Sequence, residues 1–107
     1  MTPNQGGPFH IVHSEVVRQH VRMMLQRALA RGADKEVVAD LRAIQDQLAL
    51  NPIAWGEERG NLLHLGMTVR HMVTRVFHVV FAVNPIHKFV LVLNYVPVSD
   101  YSFLEAP

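Results

Sequence analysis

The chain has 107 residues, half of them apolar, 18% charged, no cysteine and a net charge of +1. That balance excludes a disordered chain and a protein held on nucleic acid mainly by phosphate contacts. It also excludes disulfides and thiolate metal sites, and no apolar run approaches the roughly 20 residues that span a bilayer.

This length suits one domain with a single core. Residues 1–7, rich in Gly, Pro and Asn, read as a disordered lead without the pattern of a signal peptide, and a cytoplasmic home is expected. The domain proper is expected over 8–98, followed by a tail over 99–107. Pro8 to His13 carries β-favouring residues and reads as a short first strand. Ser14 is placed to cap a helix, with Glu15 in its first turn to suit the dipole. Val17, Val21, Met24, Leu25, Ala28 and Leu29 then recur at helical spacing. Gly32 stops this helix. Asp34 is expected to cap a second one, with Val37, Leu41, Ile44 and Leu48 on its apolar side. Asn51-Pro52 ends it, because the residue before proline avoids the α region. The short link Arg31-Gly32-Ala33 makes the two helices an antiparallel hairpin.

Ile53 to Gly60 reads as a loop. Leu62 to Leu65 and Thr68 to Val73 are β candidates on either side of Gly66. The strongest signal follows. Val76 to Val83 and Lys88 to Tyr95 are apolar, β-branched and aromatic runs separated by Asn84-Pro85-Ile86-His87, the pattern of two adjacent antiparallel strands. Pro97 ends the last strand, and the tail carries Tyr101 and Phe103. The expected architecture is α+β in the order β-α-α-β-β-β, a twisted antiparallel sheet with the helical hairpin on one face. Strict alternation puts Phe77, Val79, Phe81 and Val83 on the covered face, with Phe89, Leu91, Leu93 and Tyr95. The other face, with His78, Val80, Ala82, Lys88, Val90, Val92 and Asn94, is mixed, and such surfaces mark partner sites.

Seven histidines are a high count for this length. His10 and His13 fall on opposite faces of a strand, and His64, His71 and His78 lie seven apart across strands, with no ligand geometry. No metal and no cofactor is expected. Arg18 and Arg22 lie on one flank of the first helix, Arg27 and Arg31 about half a turn away, so they form no single basic stripe. Arg70, His71, Arg75, His78 and Lys88 fall on the sheet or its turns. Together they could bind phosphate, with His78 as general acid or base and Tyr101 joining from the tail. Polar decoration of a half-exposed sheet explains the same residues equally well. Gly-x-Ser-x-Gly, phosphate-cradling and dinucleotide patterns are absent.

The element order, the helix ending in Leu50-Asn51-Pro52 and the run Val76 to Val83 resemble the RelE/ParE superfamily, the toxins of bacterial type II toxin–antitoxin modules. The resemblance covers roughly 9–98. The family's aromatic-Arg-aliphatic-x-Tyr strand reads here Phe77-His78-Val79-Val80-Phe81. The resemblance implies His78 in the place of an arginine that helps cleave mRNA on the ribosome. The basic position of the preceding strand falls at Arg70 or His71, and Tyr101 stands for a C-terminal tyrosine. Tyr95-Val96-Pro97-Val98 lacks the basic residue that usually follows. The ribonuclease set is therefore incomplete. The implied function is a toxin that binds a cellular target, ribosome-bound mRNA or DNA gyrase, and is neutralised by an antitoxin. A homodimer is compatible with it. The alternative is a degenerate interaction domain without toxicity or catalysis. If the chain is an enzyme, the resemblance makes it a ribosome-dependent mRNA endonuclease using His78, Arg75 and Tyr101, with Arg70, His71 and Lys88 binding substrate.

Overall fold

Ser14 accepts a hydrogen bond from the Val17 amide at 3.2 Å and so satisfies one of the donors that open a helix. From it runs α1, Glu15–Ala30, which ends where Gly32 takes a left-handed φ of 72°. The computed structural model that shows this describes residues 8–105. The expected disordered lead over 1–7 lies outside them. A second helix, α2, spans Asp34–Leu50. Its N-cap is Ala33, without a side-chain bond, and Asp34 is already helical, so Asp34 serves the dipole and not the cap.

The strands are β1 (His10–His13), β2 (Glu57–Leu62), β3 (Met67–Val73), β4 (Phe77–Asn84) and β5 (Phe89–Pro97). They form one five-stranded sheet in the order β1-β5-β4-β3-β2. The chain is therefore α+β, as the patterning implies, but three features of its strand content and direction differ from expectation. The sheet is mixed, because β1 runs parallel to β5, with His10 opposite Phe89 and His13 opposite Val92. A fifth strand, β2, arises within the segment read as a loop. It is a polar edge strand, Glu-Glu-Arg-Gly-Asn-Leu, and offers no apolar alternation. Leu62 to Leu65 is not a strand of its own: Leu62 closes β2 and Leu63–Leu65 is a 3-10 turn ending on left-handed Gly66.

The core lies between the hairpin and one sheet face. Val17, Met24 and Ala28 of α1 and Val37, Leu41, Ile44 and Leu48 of α2 are buried against Phe77, Val79, Phe81 and Val83 of β4. Leu29, expected on this face, is exposed. On β5 the buried residues are Val90, Val92 and Tyr95, not Phe89, Leu91 and Leu93. A bulge explains the exchange: Val80 pairs with Asn94 and Phe81 with Val92, so Leu93 is the extra residue. The phase of the strand flips there and Leu93 turns out to solvent.

Residues 99–105 of the tail pack onto the fold. Ser99–Leu104 forms two short 3-10 turns that meet at a kink at Tyr101 (φ −116°, ψ 22°) and pack against α1. Leu104 is fully buried, and Arg27 donates to its carbonyl at 2.9 Å. Arg31 sits 4.6 Å above the Phe103 ring, and His20 meets Glu105 at 3.1 Å. Among the described residues no helix is long and apolar enough to cross a membrane.

Candidate functional site

The hairpin covers one face of the sheet; the other is open around His71 and His78, whereas toward the Leu63–Leu65 turn Met67, Ala82 and Asn84 are buried and Asn84 donates to the Leu65 carbonyl at 3.4 Å. Register fixes what that outer face presents. Directly paired residues share a face, so Glu57, His71, Val80 and Asn94 form one row across β2, β3, β4 and β5. The next row is Val73, His78 and Val96. His71 and His78 are diagonal neighbours, and His71 Nδ1 and His78 Nε2 share a hydrogen bond of 2.9 Å. One ring donates and the other accepts, so one of the two stays unprotonated while the bond exists. Burial, then the His71 and Arg59 charges, holds the His78 pKa below its ordinary value. Glu57 stands 4.0 Å from the far nitrogen of His71. Around the pair, Val73 is 57% exposed, Leu93 39% and Val96 38%. The surface is thus mixed: exposed Val73, Leu93 and Val96 are interleaved with Glu57, Asn94 and the hydrogen-bonded histidine pair.

The same parity sends Arg70 to the other side. It pairs with Phe81 and donates to the carbonyls of Trp55 at 3.0 Å and Gly56 at 2.7 Å. Trp55 stacks on Phe81, centroids 5.7 Å apart. Arg70 therefore ties the segment before β2 to the core. Gly56 is required there: its φ is +80°, and a Cβ would fall 2.2 Å from the His71 carbonyl oxygen.

Arg75 and Tyr101 do come together, around a residue that sequence reasoning missed. Glu36 of α2 accepts the Tyr101 hydroxyl, and Arg75 approaches the same carboxylate oxygen at 3.6 Å. The bond to Glu36 raises the Tyr101 pKa above the usual phenol value, with burial as a lesser cause. The phenol stays protonated, and its proton is already directed at Glu36. Arg31, Asp100 and Phe103 complete this shallow, polar cavity. Its carboxylates oppose a phosphate, so the arrangement fastens the C-terminal segment to α2 and the β3–β4 turn. No spacing marks Glu36 in the sequence; only the fold brings it to Tyr101.

Lys88 stands at the far end of β4, in the β4–β5 turn. Its φ is 54°, its carbonyl accepts from the His10 amide at 2.9 Å, and its ammonium lies 5.1 Å from the Phe9 ring centre. The six residues singled out from the sequence thus fall in four places: His71 with His78, Arg75 with Tyr101, and Arg70 and Lys88 each apart. Among the described residues no group of three or more His, Asp or Glu side chains is arranged to hold a metal ion.

The fold is an α+β domain with a helical layer on one side of the sheet and a partly open face on the other. Comparison of the chain with known protein families, with characterised proteins and with solved structures gave no match.

Proposed function

We propose that this chain is the toxin of a RelE/ParE-like toxin–antitoxin pair, cytoplasmic, and that it acts by binding its target through the outer sheet face. The observation that carries this reading is the open part of that face, with exposed Val73, Leu93 and Val96 around the His71–His78 pair. A mixed surface with exposed apolar residues suits a macromolecular partner, and an added strand or amphipathic helix would bury it. The antitoxin is read as the segment that lies there when the toxin is silent. The target belongs to the translation machinery or is DNA gyrase.

The dispersal of the cations favours binding over cleavage. Phosphodiester cleavage needs positive charge gathered where charge develops. Arg70 is spent on backbone carbonyls and Arg75 faces Glu36, which leaves Arg59 as the guanidinium whose charge reaches His78. The same dispersal also suits a degenerate domain of this fold without toxicity.

Inducible expression in a bacterial host separates these readings. Growth should slow, and co-expression of the product of the neighbouring reading frame should relieve it. Val96→Asp should abolish both the toxicity and the rescue complex while leaving the fold intact, because Val96 is already at the surface. Undisturbed growth at high soluble yield would refute the proposal. Ribosome-dependent mRNA cleavage that disappears in His78→Ala would replace binding by catalysis.

A further inference from the structure

On the helix side of the sheet, α1, α2 and β5 enclose a cleft of about 360 Å³. Its apolar walls are Val21 and Leu25 of α1 and Leu41 of α2. Tyr95 and His13 close it at the sheet. They share a hydrogen bond of 3.0 Å and stack with centroids 6.0 Å apart. Arg18 and Arg22 line it as well, one turn apart on the same helix flank, and no acidic residue does.

The two guanidiniums are lightly engaged. Arg18 meets Glu15 at 3.5 Å through Nε alone, and Arg22 donates to the neutral Gln19 at 3.1 Å. The charge of Arg18 nevertheless reaches into the cleft: the His13 pKa is lowered by burial first and by Arg18 second. The volume is at the lower end of small-molecule sites, about 300–1,000 Å³. A helical segment, about 10–12 Å across with its side chains, does not fit. An apolar cavity with cations on one side and no carboxylate selects a compact molecule with an apolar body and one anionic group.

We propose that this cleft is a binding site for a small amphipathic anion, an aryl or medium-chain carboxylate, held with its carboxylate between Arg18 and Arg22 and its apolar body against Val21, Leu25 and Leu41. The site lies across the sheet from His71 and His78, so it stands or falls independently of the toxin reading.

Titration of the full chain with octanoate, followed by amide proton–nitrogen correlation spectra, tests it. Saturable shifts should centre on the amides of the cleft residues. The double variant Arg18→Ala/Arg22→Ala should bind about tenfold more weakly or worse, as expected for the loss of a charge-assisted contact. Arg18→Lys/Arg22→Lys should stay closer to wild type. 1-Octanol, which has the same body without the charge, should bind as poorly as octanoate binds the alanine variant. Both arginines are exposed, so the variants should keep the wild-type far-ultraviolet dichroism. Absence of saturable shifts in the cleft, equal binding of octanol, or full affinity in the alanine variant would each overturn the proposal.

Discussion

Asp40 holds the turn that starts the central hairpin, and its removal has a cost that can be worked from the contacts. One carboxylate oxygen accepts from the Thr74 hydroxyl at 2.6 Å and from the Val76 amide at 3.2 Å. Thr74 has another outlet, the Phe77 carbonyl at 3.1 Å. The Val76 amide has none, and the Val76 side chain is fully buried. In Asp40→Ala the lost hydroxyl–carboxylate bond costs about 1.5 kcal/mol, the low end for a charged acceptor, and the stranded amide about as much again, roughly 3 kcal/mol together. Asp40→Asn keeps an oxygen for both donors and should cost about 1 kcal/mol. Urea unfolding followed by far-ultraviolet dichroism measures this. With a slope of about 1.5 kcal/mol/M, the alanine variant should unfold at a urea concentration about 2 M lower. A loss below about 0.5 kcal/mol, or equal losses in the two variants, would show that Asp40 does not carry the turn.

Other consequences are as direct. Leu104→Ala should destabilise the chain by about 2–5 kcal/mol in the same assay, the range for emptying a fully buried leucine site; a loss typical of a surface position would mean that the C-terminal segment is not part of the core. His13 and His78 both have lowered pKa values, chiefly through burial. Below about 6.5 the unfolded chain therefore binds more protons, so their contribution is complete above that pH and is lost as the pH falls through the folded values. The urea midpoint should fall between pH 7.5 and pH 5, and His13→Gln/His78→Gln should flatten that slope; an unchanged slope in the double variant would refute the assignment. Burial pushes the Tyr95 phenol up to about 12, and Glu36 raises that of Tyr101. Ultraviolet titration should show neither of the two tyrosines ionising at the ordinary midpoint near 10, and Tyr95→Phe should remove the later transition.

The helices and the β4–β5 hairpin were legible because their apolar residues repeat at the period of the element that buries them. β2 was not, because an edge strand of Glu57, Glu58, Arg59 and Asn61 has no buried face to write an alternation. Alternation places the inward side of β5 correctly at Tyr95 and not before it, since a bulge shifts the phase without any sign in composition. Side-chain parity also decided the site. His71 and Arg70 are adjacent and either could supply the basic position of that strand, yet only His71 reaches His78, because the β3–β4 register puts Arg70 opposite Phe81. In the sequence reading Arg75 and Tyr101 gather with His78 in one patch; the fold joins Arg75 and Tyr101 through Glu36, which a helix remote in sequence contributes and which carries no local signal.

The parallel seat of β1 beside β5 has a consequence for how the molecule is made. Of the five described strands, the one synthesised earliest has as its partner the one synthesised latest, and the His13–Tyr95 bond joins residues 82 positions apart. An emerging chain can wind its hairpin helices early, but their greasy sides have nothing complete to settle on until the final strand arrives. A polypeptide stalled before β5 would lack Val90, Val92 and Tyr95 and would leave the apolar sides of both helices without a complete sheet to pack on.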